Sequence, residues 1–215
     1  MSQTTAGPAP EDVVFYTNPM SRGRIVRWML EEVGCPYRAE IVAYGADMRT
    51  PEYLAINPIG KVPAILHRGQ AVTECAAICA YLADAFPGAG LAPPASERGA
   101  YYRWLFFAAG PLEAAATNHS MGFEPQGERQ QGMAGYGTYA RTMDALEKSI
   151  PAEGYIAGPR FTAADVYFGS HIGWGLQFGS VEPRPGFAEY WARLKERPAL
   201  RRANKIDEAL MPKEA

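Results

Sequence analysis

Near the start of the chain, a few residues have types and spacings that could do chemistry. The stretch Asn57-Pro58-Ile59-Gly60-Lys61-Val62-Pro63-Ala64-Ile65 crowds two prolines and a glycine into a turn that leads into an apolar run. Proline cannot donate to a β ladder, so Pro63 must stand at a strand start or edge. With a cis bond, as in about 5% of X–Pro bonds, Val62 turns its backbone N–H and C=O outward, where an extended peptide can pair with them like an added strand. About ten residues on, Thr73-Glu74-Cys75-Ala76-Ala77-Ile78 carries the chain from a strand into a helix and puts an acid and a thiol at the helix start. A thiol at a helix N-terminus has a lowered pKa and raised reactivity, whereas a cysteine buried in apolar surroundings is inert. Ser21 stands where the N-cap of an earlier helix belongs, and its hydroxyl either caps that helix or faces a ligand.

The elements around these groups can be read from periodicity and punctuation. Residues 13–16 (Val-Val-Phe-Tyr) form a β-rich run that stops at Thr17-Asn18-Pro19. Ile25, Met29 and Val33 follow helical spacing from about Ser21, and Gly34 ends that helix. Residues 37–42 alternate as a second strand, and Thr50-Pro51-Glu52 opens a short helix with Thr as cap and Pro at its first position. A strand over 62–66, a tight turn at Arg68-Gly69-Gln70, a partner strand over 71–74 and a helix carrying Ile78, Leu82 and Phe86 complete a β-α-β-α-β-β-α order. Residues 86–96 are rich in Pro and Gly, and strand signals vanish beyond them, which marks a domain boundary. A helix kinked at Pro111 is expected over 101–116, and one polar helix over 126–148. Thr162-Ala163-Ala164-Asp165 has the spacing of a capping box, on a helix whose Gly169, Gly173 and Gly175 require close backbone packing. Two further helices follow, one with Phe187, Tyr190, Trp191 and Leu194 and one beginning at Pro198.

Composition narrows the partners. The 215 residues are 47% hydrophobic and 20% charged, with a net charge of −2 and no basic patch, so a nucleic-acid partner is not expected. No apolar run is long enough to span a bilayer, and residues 1–12 lack the apolar core of a signal peptide and read as a disordered lead-in. Cys35, Cys75 and Cys79 make neither a disulfide framework nor a C-x-x-C pair, and no metal site is expected. His67, His119 and His171 lie far apart and read as surface or satisfied core residues.

The Val62-Pro63 turn, the Glu74-x-x-x-Ile78 helix start and the Thr162-x-x-Asp165 box, in this order, resemble the glutathione S-transferase family, of the bacterial, theta-like, serine type, from about Val13 to Ala209. The resemblance implies a thioredoxin-like α/β domain over 13–86, a linker over 87–96 and an all-α domain over 97–215. It implies a cytoplasmic, homodimeric detoxification enzyme with glutathione as co-substrate, no further cofactor, and electrophilic, largely apolar small molecules as partners. Glutathione's cysteinyl backbone would pair with Val62 beside Pro63. Glu74 would take its ammonium, the helix start at Cys75 its γ-glutamyl carboxylate, and Lys61 or Arg49 its glycyl carboxylate. The family has Ser or Thr where this chain has Cys75, a weak donor, which would weaken that contact. Ser21 would activate the thiol, with Asn18 as competitor and Tyr16 as scaffold; Arg22 either helps hold the thiolate or is simply exposed. Lowering a thiol pKa of about 8.5 by ~2 units takes about 2.7 kcal/mol. One hydroxyl bonded to the charged sulfur supplies about 1.5–3 kcal/mol and a helix start about 0.3–1 kcal/mol, so the arrangement is sufficient. Trp104, Phe107 and Met121 are candidates to line the electrophile pocket, although aromatics at helical spacing also read as core. Alternatives are a non-catalytic ligand-binding protein on the same scaffold and a glutathione-dependent reductase or peroxidase using Cys75.

Overall fold

The computed structural model describes residues 13–211; the lead-in expected at 1–12 lies outside them. Strand β1 (Val13–Thr17) runs through helix α1 (Gly23–Val33) into a parallel edge strand, β2 (Tyr37–Ile41), with Val13 opposite Tyr37. A short helix, α2 (Pro51–Leu54), begins as its punctuation requires: Thr50 Oγ1 accepts the Tyr53 N–H and Pro51 fills the first turn. β3 (Ala64–His67) lies antiparallel to β1, and β4 (Gln70–Thr73) antiparallel to β3, so the sheet order is β2-β1-β3-β4. Arg68 and Gly69 both have positive φ, the two-residue hairpin geometry that matches strand twist. α3 (Cys75–Ala85) closes this thioredoxin-like unit, packing against α1.

Helices follow. α4 (Gly99–Phe107) runs into a π turn over Ala108–Leu112 that contains Pro111, and α5 (Glu113–Ser120) continues from it. The missing Pro N–H is absorbed by that widened turn, so the kink expected at Pro111 takes this form. The single helix expected over 126–148 is two, α6 (Gly127–Met133) and α7 (Tyr139–Ser149). Gly137 at φ +70 and Thr138, whose Oγ1 accepts the Arg141 N–H, end one and start the other. α8 (Ala163–Phe178), α9 (Phe187–Lys195) and α10 (Pro198–Ala209) complete the unit.

α8 is the central element. Asp165, fully buried, accepts the Thr162 and Ile156 N–H groups and the Tyr190 hydroxyl at 2.8–2.9 Å. A Cβ on Gly169 would meet Leu194 at 2.2 Å, one on Gly173 the Trp191 ring at 2.5 Å, and one on Gly175 Val181 at 2.3 Å. These glycines therefore let α9 and the following chain approach the α8 backbone, as their presence in a helix requires. α8 also packs on α1 and α3, which fixes the helical half against the sheet-bearing half.

Candidate functional site

The turn ahead of β3 is held by its own side chains. Buried Asn57 donates from Nδ2 to the Lys61 carbonyl (2.8 Å), accepts the Ile59 N–H on Oδ1 (3.2 Å), and is joined at that carbonyl by the Tyr53 hydroxyl (2.6 Å). Gly60 has φ +63, and a Cβ there would lie 2.5 Å from the Met48 carbonyl oxygen, so only glycine fits. The Val62–Pro63 bond is cis. Among the described residues, neither the N–H nor the C=O of Val62 has a hydrogen-bond partner. Val62 and Lys61 both line a cleft of about 950 Å³ between the two halves of the molecule.

Ser21 lines the same cleft from the loop after β1. Helix α1 begins at Gly23 with Arg22 at its N-cap position, so Ser21 stands one residue before the place expected for it. Its Oγ accepts the Gly23 N–H (2.9 Å) and donates to the Asn18 carbonyl (2.7 Å). The hydroxyl can turn its proton to a ligand sulfur by giving up that one carbonyl. Asn18 is buried and committed at both ends of its side chain, to the Val42 carbonyl (3.1 Å) and the Met20 N–H (3.0 Å). Tyr16 packs its ring on Tyr53 with centroids 5.8 Å apart, a scaffold contact.

At the start of α3, Glu74 has φ +66, a region that costs a non-glycine residue about 1–3 kcal/mol and persists where function needs it. Its carboxylate is exposed and unpartnered among the described residues. Of the two readings of Cys75, the structure takes the buried one. It is buried, its Sγ donates to the Arg22 carbonyl at 3.7 Å, and burial pushes its pKa up to about 12. Desolvation outweighs the helix start because the sulfur is buried in the apolar core.

Three other candidates lie apart from the cleft. Trp104 is core, edge-on to Phe168 (5.7 Å) and Phe107 (5.4 Å), so neither Trp104 nor Phe107 lines the cleft. Arg49 reaches the Ile59 carbonyl (3.4 Å) and stays outside it. Met121 does line it, with Met20, Tyr44, Trp174 and Phe178 as an apolar rim.

The far wall carries groups that no local sequence signal marks. Glu113, at the start of α5, holds Arg22 at 3.0 Å and accepts the Tyr167 hydroxyl at 2.9 Å. His171, on α8, lines the cleft with Nε2 sealed from solvent and lacking a hydrogen-bond partner among the described residues. Burial, helped by the Arg22 charge, pushes its pKa down to about 3, so the ring is neutral. The only hint was position: Glu113 interrupts an apolar stretch just after Pro111, and His171 stands three residues before Trp174 on one helix face.

Residues 20–85 match the family described as glutathione S-transferase, N-terminal domain. The chain is similar to glutathione S-transferase GstA of Escherichia coli O157:H7, 30% identical over 156 residues, which cover 71% of this chain and 76% of that one. It is 27% identical over 199 residues to the disulfide-bond oxidoreductase YfcG of Escherichia coli K12, covering 87% and 92% of the two chains. A sphingomonad glutathione S-transferase solved with glutathione superposes with a TM-score of 0.71 at 26% identity, over 91% of this chain and 98% of that one. Fold, motifs and likeness agree: the chain belongs to the glutathione S-transferase family.

Proposed function

We propose that this protein binds glutathione against Val62, ionises its thiol beside Ser21 and adds the sulfur to an electrophilic, largely apolar small molecule in the cleft. The observation that carries the reading is the unpaired backbone of Val62, held rigidly by Asn57 and Tyr53 on the same cleft as Ser21. Glu74 takes the ammonium of the tripeptide, the N–H groups at the start of α3 its γ-glutamyl carboxylate, and Lys61 its glycyl carboxylate. Residues 13–86 then serve as the glutathione-binding domain and 97–215 as the wall that receives the electrophile, joined through 87–96. A cytoplasmic homodimer belongs to the same reading; the exposed, neighbouring rings of Tyr102 and Phe106 on α4 support its interface.

Calorimetry with glutathione, together with turnover of benzyl chloride, tests the proposal. Ser21→Ala should keep most of the binding heat, lower kcat about 10- to 100-fold for the loss of a hydrogen bond to a charged sulfur, and raise the pKa of the bound thiol. Absence of heat at millimolar glutathione would sink the reading.

A second reading is glutathione-dependent disulfide reduction, favoured by the likeness to YfcG. The buried, poorly ionised Cys75 leaves such chemistry to glutathione's own thiols. Cys75→Ser should therefore leave either activity intact, whereas its loss would restore a role for that thiol.

A further inference from the structure

An ion pair stands in the cleft wall beside Ser21. One oxygen of Glu113 holds the Arg22 guanidinium at 3.0 Å, and the other accepts from Tyr167. With the carboxylate fixed by residues from α1's start and from α8, the guanidinium is fixed in turn. Its side chain lines the cleft and is 47% exposed, and its other N–H donors have no partner among the described residues. His171 Nε2 stops 3.9 Å from Glu113, beyond hydrogen-bond reach. Because that ring is neutral, a dipole and not a cation faces the carboxylate. Half exposed, those donors are hydrated in the free protein and open to a ligand oxygen that enters the cleft. The pocket thus joins an apolar body site, formed by Trp174, Met121 and Phe178, to a hydrogen-bonding group near the sulfur position.

We propose that Arg22, set in place by Glu113, holds the oxygen of an α,β-unsaturated carbonyl electrophile, and that the site favours conjugate addition over displacement of a leaving group. This rests on the glutathione-conjugating reading above. Glutathione enters as the thiol and releases its proton to water. A sulfur lone pair forms the C–S bond at the β carbon, the C=C pair shifts to join the α and carbonyl carbons, and the carbonyl π pair moves onto oxygen. Arg22 N–H groups bind that enolate oxygen more tightly than the starting carbonyl, because only the enolate is charged. The α carbon then takes a proton from water; nothing is oxidised and no group leaves. Displacement on an alkyl halide puts its developing charge on a departing chloride that leaves to solvent and offers no oxygen to the Arg22 fork, so it gains less from Arg22.

The test compares kcat/KM for benzylideneacetone, an apolar enone, with kcat/KM for benzyl chloride, at saturating glutathione. Arg22→Gln should lower the enone-to-chloride ratio about 10- to 100-fold, the effect of one charged hydrogen bond. Arg22→Lys, which keeps the charge without the fork, should retain more of the ratio than Arg22→Gln. A ratio that Arg22→Gln leaves within about threefold of wild type overturns this proposal while turnover of both compounds preserves the broader reading. A wild-type protein that neither binds glutathione nor turns over either compound overturns both.

Discussion

His171 shows what burial does to a single titratable group. Its ring lies in edge contact with Tyr167, 4.8 Å between centroids, with Arg22 and Glu113 beside it, and its pKa falls to about 3. Unfolded, the same histidine titrates near 6.5. Between those values the unfolded chain binds a proton that the folded chain refuses, so stability rises with pH and is lost on acidification. The loss should reach roughly 2 kcal/mol between neutral pH and pH 5. Buried Asp165 and Asp207 have raised pKa values and contribute with the opposite sign, so the difference between wild type and a variant lacking the imidazole isolates the histidine. Urea denaturation of wild type and His171→Phe at both pH values checks this; parallel losses in the two proteins would refute it. Sequence disclosed the Val62, Lys61 and Ser21 side of the cleft because prolines, a glycine and a helix start mark it locally. Glu113 and His171 reach it only through the packing of α5 and α8, which leaves no short-range mark. Cys75 stayed open between reactive and inert for a related reason: its place at a helix start is local, but its burial is set by the core.

At the scale of elements, the same distinction separates α8 from the 126–148 stretch. Three glycines in an otherwise apolar helix have few uses besides close contact, so the packing of α8 could be read from composition. In the polar stretch, helical spacing of Tyr139, Met143 and Leu146 concealed the break, because Gly135 and Gly137 look like tolerated weak helix formers until a positive φ is seen. Glycine to alanine changes should expose the difference. Gly132, in α6, has nothing within 4 Å of a Cβ, so Gly132→Ala should stabilise by about 0.5–1 kcal/mol through propensity alone. A Cβ at Gly173 would sit 2.5 Å from the Trp191 ring, and overpacking costs about 1–3 kcal/mol. Gly173→Ala should therefore destabilise despite its better propensity. Trp191 also lines the cleft, so its displaced indole should change fluorescence and raise KM for the apolar electrophile while glutathione affinity holds. Thermal melts in which both variants gain stability would show that α9 yields freely.

Across the whole molecule, the two halves are joined at α1 by charge as well as by apolar packing. Arg27, fully buried in α1, donates from Nε to Asp207 of α10 at 2.6 Å and lies over the Phe15 ring at 5.2 Å. Nearer the end of α1, Glu32 pairs with Arg197 and Glu31 with Arg202. The Arg27–Asp207 pair stands apart, since each partner leaves one polar atom (Arg27 Nη2 and Asp207 Oδ2) without a hydrogen bond. Desolvation of such a pair consumes most of its attraction, yet removing one partner strands a charge at a cost of about 3–5 kcal/mol. Asp207→Ala should accordingly lower Tm by roughly 6–20 °C in a chain of this length. Arg27→Met combined with Asp207→Leu removes both charges and keeps apolar volume, so it should recover most of that loss. The consequence reaches the cleft, because α10 contributes Leu200, Asn204 and Glu208 to its wall. The single variant should thus raise KM for the electrophile, and the double variant should restore it along with Tm. If the double variant melts as low as the single one, the pair itself holds α10 in place; if Asp207→Ala melts like wild type, apolar packing between α1 and α10 suffices without it.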